Sequence, residues 1–336
     1  MYKLKLNPLD QTPKYKQIVQ SVIADIERGQ LKTGVQLPSI SELSEEHYLA
    51  RDTVEKAYRE LRERGFINSV QGKGYYVLSR VQDKLKILLV FNKLSSYKKE
   101  IYYAFLAALG DRATVNLEIH HYNAYLFQQI IERNLGKYNY YVVMPHFTHS
   151  TPAEDYLSVL RTIPPTELVL LDKDVPELKY QCLSVYQDFA NDIGGALDSA
   201  AADLLKYPRM RMILPSDENF PIEIDRGFRQ FGAYNDKDYA VRENARDEVL
   251  EPGTCYVVVR ETDLVELVKK VRQTPYLLGR EIGIISFNET PLKELLGMTV
   301  ITTDFHHMGC TAASMLLEGK REKVRNPFCL IRRGSI

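Results

Sequence analysis

The chain has 336 residues, which is too long for one average domain and sufficient for two or three. Its 45% hydrophobic and 26% charged residues are ordinary for a soluble globular protein. Lys and Arg total 44, as do Asp and Glu, so net charge alone excludes no class of partner.

Three absences narrow the class of protein further. The longest apolar runs, such as Ile87–Phe91, have the length of a strand and are far too short to span a membrane. The first 15 residues lack the apolar segment of a signal peptide. The four cysteines lie far apart without a CxxC pair, which disfavours a zinc site or a disulfide framework. We therefore expect a cytoplasmic protein.

The first predicted helix begins after Pro13 and ends at Gly29. Its apolar residues recur at the spacing of one helix face: Tyr15, Ile18, Val19, Val22, Ile23 and Ile26. A turn over residues 30–37 follows. A second helix is predicted to begin at Ser39, a good N-cap residue with Glu42 three positions later.

A third helix is predicted from Arg51 to Arg64, separated from the second by the short turn of residues 48–50. Two short strands, Phe66–Val70 and Tyr75–Leu78, then flank the tight connection formed by residues 71–74. Three helices and a hairpin in fewer than eighty residues are the outline of a winged helix-turn-helix.

Such a fold places the start of its recognition helix in the major groove of DNA. Arg51 can read guanine, whereas Thr53 and Lys56 suit phosphate or sugar contacts. The small residues of the hairpin tip let the backbone approach a groove. Residues 1–80 carry 13 Lys and Arg against 10 Asp and Glu, which permits a surface for nucleic acid. The predicted DNA contacts are Ser39, Ser41, Arg51, Thr53, Lys56, Gln71, Gly72 and Lys73.

Residues 79–85 are charged and poor in apolar side chains, so we interpret them as a linker between a domain of residues 1–78 and one of residues 86–336. Beyond the linker, short continuous apolar strands alternate with helices, as in parallel sheets covered on both faces. The predicted strands are Ile87–Phe91, Leu117–His120, Tyr140–Met144, Leu168–Asp172, Met210–Leu214, Tyr256–Val259 and Ile282–Phe287. The predicted helices include Lys99–Leu109, Phe127–Leu135, Ala190–Leu205, Thr262–Arg272 and Phe305–Leu317. The length suits two similar α/β lobes with a cleft between them.

The first domain resembles the GntR family of winged-helix regulators almost from end to end. The matching segments are GxLxxGxxLPS (Gly29–Ser39), RxTVxxAYxxL (Arg51–Leu61) and GxGYYV (Gly72–Val77). The resemblance implies that Arg51 and Thr53 contact DNA from the recognition helix and that residues 71–73 form a wing in the minor groove. The sequence departs from the family at Ala50, where Ser or Thr is usual, and carries carboxylates at Asp52 and Glu55.

Residues 86–336 resemble the periplasmic-binding-protein-like core of LacI-type regulators. The similar segments are ILLVFN (Ile87–Asn92), LVLLDKD (Leu168–Asp174) and IGIISFNETPLKELLGMTVITTD (Ile282–Asp304). A GntR head on a LacI-like core is the arrangement of arabinose-type repressors. The resemblance therefore implies a monosaccharide effector, either a pentose or a deoxyhexose.

Sugar binding requires polar groups that converge from strand ends and an aromatic face against the ring. Asp172, Arg260 and Asn288 fall at ligand positions by resemblance, and Ile224 stands where an arginine is familiar. The predicted effector contacts are Asn92, Tyr97, His146, Asp172, Glu223, Arg226, Arg260 and Asn288. We expect the chain to cross between the lobes near Leu183–Gln187, Asn288–Leu292 and Thr302–Asp304.

The combined prediction is a homodimeric, ligand-responsive repressor that binds double-stranded operator DNA. His146 and His149 have the spacing of metal ligands, but no nearby Cys or carboxylate completes a site in the sequence. No P-loop, GxGxxG, GxSxG or HExxH motif is present, so no metal, cofactor or catalytic residue is expected. Two alternatives remain open: a GntR-headed enzyme of the aminotransferase kind, and a sugar-binding module that does not bind an operator.

Overall fold

The computed structural model describes residues 4, 6, 10, 12–78, 84–179, 182–216 and 219–336. The described part contains a small winged helix-turn-helix head followed by two α/β lobes, as predicted. Most of the predicted linker, residues 79–83, lies outside the described residues, and the first lobe strand already begins at Leu85. No helix in the described ranges is both long and apolar enough to cross a membrane.

The head contains three helices and a three-stranded antiparallel sheet. Its elements are α1 (Lys14–Glu27), β1 (Gln36–Leu37), α2 (Ile40–Glu46), α3 (Arg51–Glu63), β2 (Ile67–Val70) and β3 (Gly74–Val77). The strands lie in the order β1-β3-β2. The apolar faces of the helices meet in one core that includes Ile18, Val22, Leu43, Val54 and Leu61, so the predicted periodicity marks the buried face.

The N-terminal lobe, defined by the sheet that contains the first lobe strand, is wholly parallel. Its elements are β4 (Leu85–Phe91), α4 (Ser96–Leu109), β5 (Ala113–Ile119), α5 (Ala124–Asn134), β6 (Tyr140–Val143), α6 (Ala153–Thr162), β7 (Leu168–Asp172) and β8 (Leu183–Tyr186). The late elements α12 (Phe305–Leu317) and β14 (Lys323–Arg325) return to this lobe. The strand order is β14-β8-β7-β6-β4-β5.

The C-terminal lobe has the second six-stranded sheet, in the order β10-β9-β11-β12-β13-β15. Its helices are α7 (Phe189–Ser199), α8 (Ala201–Leu204), α9 (Glu223–Tyr234), α10 (Glu261–Arg272) and α11 (Pro291–Leu295). Its strands are β9 (Arg209–Ile213), β10 (Asp238–Arg242), β11 (Thr254–Val258), β12 (Ile282–Phe287), β13 (Thr299–Thr303) and β15 (Phe328–Ile331). Among the described strands of this sheet, β15 at the edge is the one that runs antiparallel to its neighbour.

Within the described residues, the chain crosses between the lobes three times. The crossovers follow β8 at residues 187–188, β13 at Asp304 and β14 at residues 326–327. Two of them lie where the sequence predicted. The prediction for Asn288–Leu292 is wrong, because that segment joins β12 to β13 within one sheet. The third crossover instead uses the short segment between β14 and the antiparallel edge strand, which has little apolar pattern to reveal it.

Helices α4 and α12 pack closely in the N-terminal lobe because residue 309 lacks a side chain. A Cβ atom built at Gly309 would lie 2.4 Å from the carbonyl oxygen of Ile101 and 2.9 Å from Cβ of Ala104. Gly195 in α7 has nothing within 4 Å of the equivalent position. The two glycines therefore provide a matched pair of substitutions, one at a close helix contact and one in open space.

We expect Gly309→Ala to lower the free energy of unfolding by about 1–3 kcal/mol, because the helices must separate to admit the methyl group. Gly195→Ala should leave stability unchanged or raise it by about 0.5–1 kcal/mol, because alanine is the better helix former. Urea denaturation followed by circular dichroism measures both. Equal effects of the two substitutions would contradict the close approach of α4 and α12.

Candidate functional site

The head presents the helix-turn-helix pair in a fixed geometry. The side-chain oxygen of Ser39 caps α2 by accepting from the backbone N–H of Glu42 at 3.2 Å, and the Glu42 carboxylate accepts from the backbone N–H of Ser39 at 2.7 Å. This reciprocal arrangement is the predicted capping box. In the turn, the Ser44 hydroxyl donates to the carbonyl of Leu49 at 2.6 Å. The turn that leads into α3 is therefore tied to α2.

The predicted recognition residues lie on the outer side of this pair. Arg51 is exposed at the first position of α3 and Thr53 is half-buried beside it. Lys56 is also exposed, but its ammonium group lies 4.0 Å from the centre of the Tyr15 ring, so its charge is directed toward α1. Ser41 is half-buried on α2. Tyr48, which the sequence did not single out, is 96% exposed in the turn with φ of 53°.

Two side chains hold the backbone of the hairpin tip by hydrogen bonds, although the side chains of the tip itself are exposed. Gln36 and Tyr76 both donate to the carbonyl oxygen of Lys73, at 2.7 and 3.1 Å. Gly72 has φ of 74°, a conformation that favours glycine. Gln71, Gly72 and Lys73 are all exposed. The backbone of the wing is thus fixed while the Lys73 ammonium group is available to a partner.

A cavity of about 750 Å³ lies between the two lobes. Six of the eight predicted effector residues line it: Asn92, Tyr97, His146, Asp172, Arg260 and Asn288. Glu223 and Arg226 are not among the lining residues. Both lie on α9, where Nη2 of Arg226 is 3.9 Å from Oε1 of Glu223. Ile224, between them in sequence, lines the cavity instead.

A buried polar cluster forms the floor of the cavity on the N-terminal lobe. Asp172, at the end of β7, accepts hydrogen bonds from the Lys98 ammonium group, from Nε2 of His146 at 2.7 Å and from the Gln187 amide. Asp172, Lys98 and His146 are each at most 9% exposed. Asp172 has φ of 75°, so its side chain leaves the strand in an unusual direction for a residue other than glycine.

The electrostatics of the cluster follow from burial and charge. Burial alone would raise the pKa of Asp172, but the Lys98 and His146 side chains outweigh it and hold that pKa well below its usual range. Burial lowers the pKa of His146 despite its bond to Asp172. The cluster therefore consists of an ionised carboxylate, a lysine and a neutral histidine.

The sequence did not predict several cavity residues. Lys98, Gln187 and Asp192 were missed, as was Glu261. The predicted start of α4 at Lys99 excluded Lys98 from the helix, but Ser95 caps that helix and places Lys98 in its first turn. Gln187 directly follows a strand that the sequence did not identify. Arg260, which was predicted, donates to Asp263 at 2.8 Å.

Comparison with known proteins gives a family for the head. Residues 14–77 match the model of the bacterial regulatory proteins of the gntR family. The repressor YtrA of Bacillus subtilis is 33% identical over 98 residues, an alignment that covers 29% of this chain and 72% of YtrA. The chain belongs to the GntR family. The arabinose metabolism repressor of Geobacillus stearothermophilus is 35% identical, but the match covers only 22% of this GntR protein and 20% of the repressor.

Solved structures resemble this GntR protein over the lobes. The trehalose repressor from Escherichia coli superposes with a TM-score of 0.59 at 14% identity, covering 74% of this chain and all of that one. The lac repressor dimer bound to operator superposes with a TM-score of 0.60 at 12% identity, covering 76% of this chain and 94% of that one. At these identities the likeness shows a shared fold, the two-lobed fold of LacI-type repressors.

We expect Asp172→Asn to destabilise the N-terminal lobe by about 3–5 kcal/mol, because it leaves the Lys98 ammonium group buried without its counter-charge. The double variant Asp172→Asn/Lys98→Met should recover part of the loss, since it removes the unpaired charge. Denaturant unfolding of the unmodified protein, the two single variants and the double variant measures this. Additive losses in the double variant would contradict the pairing.

Stability should also fall as the pH decreases from 7 toward 4. Burial lowers the pKa of His120 to about 4, so the unfolded chain takes up this proton before the folded protein does. His146 acts in the same direction. At pH 5, His120 should account for about 2 kcal/mol of the lost free energy of unfolding. This value follows from the difference between its pKa in the folded protein and the unperturbed pKa of about 6.5 in the unfolded chain. Unfolding measured at pH 7.5 and 5.0 should show a smaller loss for His120→Gln than for the unmodified protein.

Proposed function

We propose that this GntR-family protein is a ligand-responsive transcription repressor of carbohydrate-utilisation genes. The observation that carries the proposal is the combination, in one chain, of an outward-facing recognition surface with a cavity between two lobes. The names of the similar proteins agree with it, because they include repressors of arabinose metabolism and of trehalose. A regulator rather than an enzyme accounts for both features.

We assign residues 1–78 to DNA binding and residues 86–336 to effector binding and dimerisation, and we shorten the linker predicted at residues 79–85 by one residue, because Leu85 already belongs to β4. Arg51 reads base edges in the major groove of a double-stranded operator. The hydroxyl groups of Ser39, Ser41 and Thr53 contact phosphates. The wing, with Lys73 at its tip, enters the neighbouring minor groove.

The effector is a small carbohydrate that binds in the cavity. Asn92, His146, Asp172 and Asn288 supply hydrogen bonds, and Tyr97 supplies an aromatic face. Tyr97 already stacks on Phe305, with ring centres 5.3 Å apart. A pentose or deoxyhexose, the class expected for arabinose-type repressors, is the sugar that we propose first.

The protein acts as a homodimer whose two heads face a pseudo-palindromic operator. The lac repressor structure with the same lobe fold is a dimer on its operator, which supports this arrangement. Ligand that binds the closed lobes better than the open ones shifts the separation of the heads. A coupling of about 1–3 kcal/mol changes operator affinity several-fold to a hundredfold.

We expect Arg51→Ala to reduce discrimination between the protein's own upstream region and unrelated DNA about 10- to 100-fold, because the bidentate contact to guanine is lost. Fluorescence anisotropy with labelled fragments, titrated with salt, measures this. Ligand-induced thermal stabilisation should stay unchanged, since Arg51 lies in the head and not among the cavity residues.

Arg62→Ala is the matched control. Arg62 is exposed in the last turn of the same helix, so its removal changes charge by the same amount away from the recognition end. Equal losses of discrimination in the two variants would contradict the assignment of Arg51. Absence of binding to any promoter fragment at low salt would overturn the regulator proposal.

A further inference from the structure

Tyr48 has the most exposed large hydrophobic side chain in the part of the chain that the structure describes. It lies in the turn between α2 and α3, and 96% of the residue is accessible to solvent. At that exposure its ring packs against no other described part of the protein. A tyrosine offers a partner both an apolar ring and a polar hydroxyl group.

The backbone holds Tyr48 in a conformation that is unfavourable for a tyrosine. Its φ is 53°, in the left-handed region, where Cβ approaches the following carbonyl oxygen. The turn is fixed around it, because the Leu49 N–H donates to the carbonyl of Ser44 at 3.0 Å and the Ser44 hydroxyl donates to the carbonyl of Leu49 at 2.6 Å. Glycine or asparagine would adopt this conformation more easily. Packing therefore does not explain why a tyrosine stands here.

Strained backbone coincides with a proposed binding site elsewhere in this protein. Of the seven described non-glycine residues with positive φ, Tyr122, Asp172 and Asn288 line the cavity between the lobes. Tyr48 is the one such residue among those described in the head. Strain of this kind persists where the surrounding structure enforces it, and it clusters at functional sites.

The turn that carries Tyr48 connects the two helices that a helix-turn-helix places against DNA. In that arrangement the first helix of the pair crosses the sugar-phosphate backbone, and the start of the second enters the major groove. Tyr48 precedes Arg51, the exposed first residue of α3, by three positions. A side chain in this turn therefore lies at the border of the groove, nearer to the DNA backbone than to the base edges.

The charges of α3 give little net attraction to phosphate. The helix carries four cations and four carboxylates. Arg59 lies 3.8 Å from Glu55, and the Lys56 ammonium group lies over the Tyr15 ring. Ala50 has no side-chain oxygen, so it neither caps α3 nor offers a phosphate contact. A tyrosine hydroxyl in the same turn can donate to a phosphate without any charge.

We propose that Tyr48 contacts the DNA backbone. Its hydroxyl donates to a phosphate oxygen beside the major groove, and its ring packs on the neighbouring deoxyribose. This inference rests on the proposed function, since it adds a contact to the same DNA-binding surface. Phosphate contacts carry no direct sequence information, so Tyr48 strengthens binding to any duplex, whereas Arg51 discriminates between sequences.

Fluorescence anisotropy of the full chain, with its own promoter fragment and with an unrelated duplex, tests the contact. Tyr48→Phe removes the hydroxyl alone and should weaken binding to both duplexes by the same factor, about 3- to 10-fold. The slope of log affinity against log salt concentration should stay unchanged, because no cation is removed. Full affinity of this variant, or a loss confined to the promoter fragment, would overturn the proposal.

Tyr48→Asn separates a DNA contact from a structural role. Asparagine adopts a positive φ more readily than tyrosine does, so the temperature of unfolding should stay the same or rise. Affinity for both duplexes should nevertheless fall further than in Tyr48→Phe, because the ring is lost as well. A lower temperature of unfolding would instead identify a structural role for the tyrosine and would overturn the proposal.

Tyr234→Phe is the matched control. Tyr234 is 88% exposed at the end of α9 in the C-terminal lobe, so its variant should change neither the affinity nor the salt slope. The same loss in both tyrosine variants would contradict the assignment. Sedimentation without DNA tests the alternative partner, a second copy of the chain. A dimer that is weakened by Tyr48→Phe would overturn the DNA contact.

The unmodified protein, measured beside the variants, separates this inference from the proposed function. If it binds its promoter fragment and Tyr48→Phe binds equally tightly, the Tyr48 contact fails and the regulator stands. If the unmodified protein binds no duplex even at low salt, the regulator proposal itself fails, and the Tyr48 contact fails with it.

Discussion

The buried carboxylate of Asp172 constrains the arrangement of the N-terminal lobe and its cavity. An ionised carboxylate can remain this deep only if hydrogen bonds and a counter-charge replace the water that it loses. Lys98 from α4, His146 from the segment that follows β6 and Gln187 from the first crossover meet that requirement together. One side chain thus fixes a helix, a strand end and a hinge segment relative to β7.

The same cluster connects the cavity to the hinge. The amide of Gln187 donates to Asp172, and its carbonyl oxygen accepts from the Thr303 hydroxyl, which precedes the second crossover. Asn326 in the third crossover donates from its backbone to Tyr186 at 2.7 Å and from its side chain to the carbonyl of Asp304 at 3.0 Å. A ligand that displaces or reorients the Asp172 carboxylate therefore acts on a segment bonded to the other crossovers.

Regular elements with strong apolar periodicity could be predicted from the sequence. The predicted bounds of α12 coincide with those observed, because Met308, Ala312 and Leu316 mark one buried face. Cavity residues could be predicted where a polar residue ends a strand with a continuous apolar pattern, as Asp172 does at the end of β7. Strands β8, β10, β13 and β15 were missed because each is only four or five residues long, and Ser184 in β8 and three threonines in β13 also interrupt the apolar pattern. The prediction that Glu223 and Arg226 line the cavity failed because the sequence does not show which face of α9 is buried. That face is formed by Ile224, Phe228 and Phe231, which pack on the sheet of the C-terminal lobe.

Communication with DNA depends on how the head is joined to the N-terminal lobe. The Lys86 ammonium group at the start of β4 contacts the carboxylate of Glu27 at the end of α1, and the backbone N–H of Lys86 donates to Asn139 at 2.7 Å. This ion pair is partly exposed, so it adds little stability by itself. It joins the head to the lobe that carries the Asp172 cluster. A ligand can shift the equilibrium between two lobe arrangements, and so move the heads, only if it binds one arrangement more tightly than the other. Contacts to both lobes supply such a difference in affinity, because a ligand held by one lobe alone binds the open and closed arrangements equally well.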